Sequence, residues 1–263
     1  MGRVNTLVIT GYGTNSHVET AYAATQAGAD RADIVHFSDI TACNCSLDDY
    51  DFLIFPGGFL DGDDLGAAQA AGMRWRHLKD ASGTPLLDHL KKFLSDGKLV
   101  LGICNGFQAL IKLGLVPYGE IRPMDDQCPT LTYNTIGRHQ SQLTLTRICT
   151  NKSPWLSCCN VGDIHNIPIS HGEGRFVAPE SVIKQLIANG QVATQYVDLS
   201  GNPTMDVAFN PNSSMYAIEG IISPDGRVLG KMGHTERLTD NVAKNVSGNK
   251  EQLLFKGGVD YFA

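Results

Sequence analysis

Cys104 stands in Gly102-Ile103-Cys104-Asn105-Gly106, a potential nucleophile with glycine at both second neighbours. A nucleophile elbow demands this spacing. At a sharp strand-to-helix turn the reactive residue is held in a strained backbone conformation, and side chains at the flanking positions would collide with neighbouring chain. The same turn sets the thiol at a helix start, where the dipole and unpaired amides favour thiolate. There the Asn105 amide can face a developing oxyanion. The spacing also suits a cysteine that merely ends a buried strand.

A thiol attacking an amide needs a base, something to orient that base, and a proton for the leaving nitrogen. Gly233-His234-Thr235-Glu236 offers these groups. Two apart on an extended segment, His234 and Glu236 project to one side, so that Glu236 can brace the imidazole while the ring faces the thiol. His-x-Glu alone is also an ordinary surface pattern. Phe55-Pro56-Gly57-Gly58-Phe59 follows an apolar run. Its amides are expected beside Cys104, either completing an oxyanion hole or forming a plain glycine turn.

These residues need a sheet to carry them. Leu7-Val8-Ile9, Ile34 to Phe37, Phe52 to Phe55 and Leu99 to Ile103 read as buried strands; Val18 to Ala27, Leu86 to Ser95 and Phe107 to Leu113 read as helices. The alternation predicts an α/β fold with a parallel sheet covered on both faces, and function at the strands' C-terminal ends. Beyond Val116 the pattern turns β-rich, with strands expected at Leu143 to Thr146, Ile167 to Ile169, Val192 to Val197, Tyr216 to Ile222 and, after the turn Pro224-Asp225-Gly226, Val228-Leu229. Leu238 to Ala263 reads as a terminal helix and tail, and Gly119 to Arg138 gives no clear pattern. Without a linker or repeat, residues 1–263 read as one domain.

Composition narrows the function. A net charge of −6, with 21 scattered Lys and Arg, offers nothing to nucleic acid. No stretch approaches the roughly 20 apolar residues of a membrane span, and Val4 to Thr10 reads as a strand rather than a signal peptide, so a soluble cytoplasmic protein is expected. Met1-Gly2 with Thr6 fits a short acylation pattern by coincidence, since Gly2 precedes a core strand. Seven cysteines, an odd number, suggest reduced thiols, and Cys43-Asn44-Cys45 and Cys158-Cys159 lack the gap of a structural zinc site, so no metal is expected. Gly11-Tyr12-Gly13-Thr14-Asn15-Ser16 lacks the third glycine of a dinucleotide loop, and no phosphate loop with Gly-Lys-Ser/Thr is present.

Phe55-Pro-Gly-Gly-Phe59, Leu101-Gly-Ile-Cys-Asn-Gly-Phe-Gln108, Ser170-His-Gly-Glu-Gly-Arg-Phe176 and Gly233-His-Thr-Glu-Arg237, in this order, resemble the class I glutamine amidotransferases. Cys-Asn-Gly-Phe-Gln and His-Gly-Glu-Gly-Arg resemble in particular the glutaminases of phosphoribosylformylglycinamidine synthases, enzymes of purine biosynthesis. The resemblance implies a flavodoxin-like three-layer sandwich, its central sheet mostly parallel, with β-rich additions. It implies Cys104 as nucleophile, His234 as acid and base, and Glu236 as its orienter. Gln108 and the backbone around Gly57, Gly58 and His171 would hold L-glutamine, and Asn105 would give the second oxyanion amide. Such a glutaminase releases ammonia to a synthetase partner that binds ATP and magnesium, in some lineages with a small bridging subunit; this chain would need no cofactor. Starting at Met1, the chain reads as a stand-alone subunit.

Two departures stand out. The family reads Pro-His-Pro-Glu-Arg where this chain has Gly233 and Thr235, which predicts a looser histidine segment. It reads Asn-Pro-Asn-Gly-Ser where this chain has Asn210-Pro-Asn-Ser-Ser214. A related cysteine hydrolase such as a peptidase would share the elbow without needing Gln108 or the Ser170 to Phe176 motif, and a non-catalytic scaffold is the other alternative.

Overall fold

The computed structural model describes residues 3–59, 66, 68–237, 239 and 242–263. Met1 and Gly2 of the acylation pattern, and Leu238 at the start of the expected terminal helix, lie outside them.

In the first half the chain forms β1 (Asn5–Thr10), α1 (His17–Gln26), β2 (Arg31–His36), α2 (Phe37–Thr41), β3 (Phe52–Phe55), α3 (Gln69–His77), α4 (Leu86–Ser95), β4 (Leu99–Ile103), α5 (Asn105–Leu113) and α6 (Leu115–Tyr118). The second half adds β5 (Thr130–Thr132), β6 (Gln140–Ile148), β7 (Ile164–His171), β8 (Arg175–Val177), α7 (Glu180–Ala188), β9 (Val192–Tyr196), β10 (Ile218–Ile222), β11 (Val228–Lys231) and α8 (Leu254–Phe262).

A nine-stranded sheet runs β2-β1-β3-β4-β11-β10-β9-β6-β7. Its first five strands are mutually parallel, in a flavodoxin-like order. The remaining pairings are antiparallel and form the β-rich addition, a wing made by the second half. All residues of β3 and β4 are buried, as strands covered on both faces must be, and for that reason their sequences read as unbroken apolar runs. Three residues apart, Phe52 and Phe55 point to opposite faces: Phe52 meets Trp155 and Phe262 of α8, and Phe55 meets Trp75 of α3. In the wing β7 alternates buried and open positions, as an antiparallel strand covered on one side does.

Several boundaries differ from the sequence reading. Phe37 leaves β2 to start α2, whose first turn is capped by the His36 side chain accepting from the Ser38 amide. Helix α5 begins at Asn105, directly after Cys104, rather than at Phe107. Strand β10 begins at Ile218 because Met215–Ala217 is a 3₁₀ turn with Tyr216 at φ 53°. The terminal helix is confined to Leu254–Phe262. The sequence reading missed α3, whose apolar residues are few, and α7, whose buried Ile183 and Leu186 were a helical spacing to be read. It also missed the small β5–β8 sheet, which anchors Arg175-Phe176 of the Ser170 to Phe176 motif.

Candidate active site

The chain leaves β1, β3, β4 and β11 at one edge of the sheet, and the four segments that follow are the Gly11–Ser16 loop, Pro56–Phe59, the Cys104 turn and Met232–Arg237. Cys104 has φ 53° and ψ −108°, the strained geometry that the flanking glycines foretold. A Cβ on Gly106 would lie 1.8 Å from the Phe55 carbonyl oxygen, and one on Gly102 would lie 2.6 Å from Leu110 Cδ1 and 2.7 Å from the Gly106 carbonyl. Both glycines are therefore steric requirements of the turn. The Cys104 amide donates to the Lys231 carbonyl at 2.8 Å, which fixes β4 against β11. The thiol, 3% exposed, donates to the Ser170 carbonyl at 3.4 Å. Asn105 opens α5, so its amide has no acceptor within the helix.

His234 is 1% exposed and Glu236 2%. His234 Nδ1 and Glu236 Oε1 are 2.6 Å apart, while Nε2 has no hydrogen-bond partner among the described residues. The two residues meet through a 3₁₀ turn, Thr235–Arg237, and not through the extended segment expected from sequence. The His234 amide donates to the Pro168 carbonyl at 2.8 Å, which sets where that turn begins. Burial opposes a charged ring here, but the Glu236 carboxylate and then Cys104 outweigh it, and the imidazole pKa is raised from 6.5 to about 9. His234 is thus built to carry a proton at neutral pH. His171, fully enclosed, behaves oppositely: burial first, then the neighbouring His234 and His139, lower its pKa to about 3, so it stays neutral.

Gly57 and Gly58 lie against the histidine and the first loop. A Cβ on Gly57 would sit 2.6 Å from His234 Cε1; one on Gly58, at φ +148°, would strike the Gly13 carbonyl at 2.5 Å. The Gly57 carbonyl accepts from the Asn15 and Ser16 amides, both at 3.2 Å. In a trans peptide this turns the Gly58 N–H the opposite way, off that loop. The Gly11–Ser16 loop, which lacked the glycine of a nucleotide site, is here a clamp on the Gly57–Gly58 peptide. Arg237 fastens it from the other side, donating to Ser16 Oγ at 2.6 Å.

Strand β7 is separated from β11 by β10, β9 and β6, yet its end supplies Pro168 to His234 and Ser170 to Cys104, so the wing folds back over the parallel edge. Gln108 joins the parts: its side chain accepts from Asn105 Nδ2 at 3.1 Å and donates to the Glu173 carbonyl at 2.8 Å. Asn134, in the segment that gave no clear pattern, donates to the His171 carbonyl and accepts from the Gly174 amide. Asn212 and Ser214 both donate to the Gly174 carbonyl, and Ser214 Oγ accepts from Phe176 N. The turn between them puts Ser213 at φ 60°, the position where the family carries glycine. Sequence reading missed Ser16, Asn134, Glu219 and Lys231. A glutamate inside the apolar run Ile218-Glu219-Gly220-Ile221-Ile222 was the available signal for Glu219.

The family model of the CobB/CobQ-like glutamine amidotransferase domain matches residues 3–262, and the chain belongs to that family. It is similar to the phosphoribosylformylglycinamidine synthase subunit PurQ of Methanococcus maripaludis strain C7, 36% identical over 258 residues, spanning 96% of this chain and 89% of the relative. A Dehalococcoides mccartyi protein of the same description is 34% identical over 239 residues, spanning 90% of this chain and 86% of the relative. Among solved structures it is similar to a chain in the structure of PurLQS from Thermotoga maritima, with a TM-score of 0.73 and 25% identity over 100% of both chains. Among the described residues no helix is long and apolar enough to cross a membrane.

Proposed function

We propose that this chain is the glutaminase component of a phosphoribosylformylglycinamidine synthase. It hydrolyses glutamine to glutamate and ammonia and delivers the ammonia to a synthetase partner in the cytoplasm. The observation that carries this reading is the pairing of a strained, glycine-flanked Cys104 with a buried His234 braced by Glu236 at 2.6 Å. The likeness to PurQ subunits over nearly the whole chain supports the choice of synthase.

In this mechanism the Cys104 thiolate attacks the carbonyl carbon of the glutamine side-chain amide. The amides of Asn105 and Gly58 hold the resulting oxyanion. The tetrahedral centre collapses by breaking its carbon–nitrogen bond, and His234 gives its Nε2 proton to the departing ammonia. A water then attacks the γ-glutamyl thioester, passing a proton to His234, and expels the thiolate as glutamate forms. Glu236 holds the ring so that Nε2 faces the reaction, and it stabilises the imidazolium. Gln108 and the backbone at Gly57, Gly58 and His171 shape the glutamine pocket. ATP, magnesium and formylglycinamide ribonucleotide bind the synthetase, to which a small bridging subunit can join the glutaminase. Ammonia passed directly between sites escapes protonation by water.

The test is ammonia release from glutamine by wild-type and Cys104→Ala protein, each with and without synthetase, nucleotide substrate and ATP. Release that the complete partner system stimulates and that Cys104→Ala abolishes is expected. Release indifferent to that substitution, or none even with the complete system, would overturn the reading.

A further inference from the structure

Against Gly233 and Thr235, the residues that flank His234, lies an ion pair that nothing in the reaction uses. Glu219 on β10 and Lys231 at the end of β11 are both 0% exposed, with Lys231 Nζ 3.4 Å from Glu219 Oε1. Two charges withdrawn from water lose much hydration, and such a pair is weak evidence of stabilisation by itself. Its hydrogen bonds point elsewhere. Lys231 Nζ donates to the Gly233 carbonyl at 2.7 Å and to Thr235 Oγ1 at 3.2 Å, the residues on either side of His234. Glu219 Oε1 accepts from the Gly233 amide, and Oε2 accepts from Thr194 Oγ1. Thr235 Oγ1 in turn donates to Gln252 Oε1 at 2.6 Å.

Both polar groups of the Gly233 backbone are thus gripped by the two members of one ion pair. The same Lys231 offers its own carbonyl to the Cys104 amide at 2.8 Å, so one residue touches the supports of both the nucleophile and the base. Two of the ammonium's protons have hydrogen-bond acceptors, and the Glu219 carboxylate lies 3.4 Å away as its counter-charge. These bonds tie the buried ammonium and carboxylate to the residues on either side of His234, and buried polar bonds of that kind stiffen the segment they hold.

The arrangement leaves no room for a side chain at position 233 unless the ion pair shifts. A Cβ there would lie 2.8 Å from Ile167 Cγ2, 2.9 Å from Glu219 Oε1 and 3.0 Å from Lys231 Nζ. A proline would in addition remove the N–H that Glu219 accepts, leaving a buried carboxylate oxygen short of a donor.

We infer that Lys231 and Glu219 are positioning residues that hold His234 in register with Cys104, replacing with a buried polar clamp the stiffness that prolines at 233 and 235 would supply. The inference rests on the triad reading above. It makes the two devices mutually exclusive: either the charged pair with glycine and threonine, or prolines without the pair.

The test is a mutant cycle in the complete synthase, reading kcat and KM for glutamine. Gly233→Pro with Thr235→Pro in the otherwise wild-type chain is expected to lower kcat by about a hundredfold, with KM changed less than about threefold. The same prolines added to Lys231→Met with Glu219→Gln are expected to raise that background's kcat by about tenfold. A proline effect of the same sign and size in both backgrounds would overturn the inference. Should the Lys231→Met with Glu219→Gln protein fail to fold by circular dichroism, Thr235→Val decides, since it cuts one link to the histidine segment and spares the ion pair. A fall in kcat of about fivefold with KM unchanged supports the clamp, and wild-type kcat overturns it. Cys104→Ala in the same assay separates the levels: if it leaves turnover intact, the triad reading itself has failed, whereas its inactivity beside an indifferent Thr235→Val condemns the clamp alone.

Discussion

The two flanks of the site are built by different means. On the nucleophile flank, position is imposed by backbone against backbone. Gly106 touches the Phe55 carbonyl so closely that no side chain fits, and the strained φ of Cys104 follows from the turn. On the histidine flank, polar contacts set the position: the Glu219 and Lys231 side chains of β10 and β11 hold Gly233, the Pro168 backbone carbonyl of β7 accepts from the His234 amide, and Glu236, two residues on, braces the ring. A backbone-held residue fails when a methyl group is added nearby. A side-chain-held residue fails when a charge or a proton is removed.

The largest effect is expected from Gly106→Ala. With the Phe55 carbonyl 1.8 Å from the new Cβ, β3 and α5 cannot keep their separation. Loss of glutaminase activity by more than about 10³-fold, with destabilisation of about 3 kcal/mol or more, is expected in kinetic and denaturant assays. Wild-type behaviour would remove the steric argument for the elbow.

Glu236→Gln breaks the other flank by charge alone. It is expected to cost about 10²-fold or more in kcat while leaving the fold intact by circular dichroism. It also carries a pH signature. The folded-state pKa of His234 is raised from 6.5 to about 9, so its contribution to stability is fully present below about pH 6.5 and is lost as pH rises through about 9. The wild-type protein should lose up to about 3 kcal/mol of unfolding free energy over that window. Denaturant titrations at pH 6 to 10 should show a smaller loss in Glu236→Gln; identical pH dependence would show that Glu236 does not hold the imidazolium.

Gly57→Ala acts where the flanks touch. Its methyl would press on His234 Cε1, 2.6 Å away, and a fall in kcat of about tenfold, larger than any change in thermal stability would explain, is expected. An unaffected kcat would mean that the ring yields at no catalytic cost.

How legible each flank was in the sequence follows from the same division. Glycine spacing around Cys104 and the apolar runs of β3 and β4 are local, and the rule that function gathers at the C-terminal ends of parallel strands brought the turn at Gly57 to the edge of Cys104, whereas His234 was set facing the thiol by its spacing from Glu236 and by the family resemblance. The histidine flank depends on polar side chains buried between neighbouring strands and on the return of β7 to the site. Lys231 and Glu219 are residue types that ordinarily face water, and only the fold reveals that each is buried with the other. That β7 returns to the site across the wing was equally hidden, since its alternating pattern gives a strand but no destination. The missing prolines at 233 and 235 were visible, but the clamp in their place was not.

The smallest expected effect is at Ser213, where a left-handed φ of 60° sits in the loop that supports Gly174. Ser213→Gly should relieve strain and raise stability by up to about 1 kcal/mol in thermal unfolding, with glutaminase activity unchanged. A loss of stability would mean that the Ser213 contact with Thr135 outweighs the strain.

Catalysis by Cys104 requires a covalent γ-glutamyl intermediate on its sulfur. Acid quenching of the complete synthase during turnover of isotopically labelled glutamine, followed by peptide mass spectrometry, tests it directly. Label on the Cys104 peptide of the wild-type chain and none in Cys104→Ala is expected; label on a different cysteine, or undiminished turnover without Cys104, would rule Cys104 out as the nucleophile.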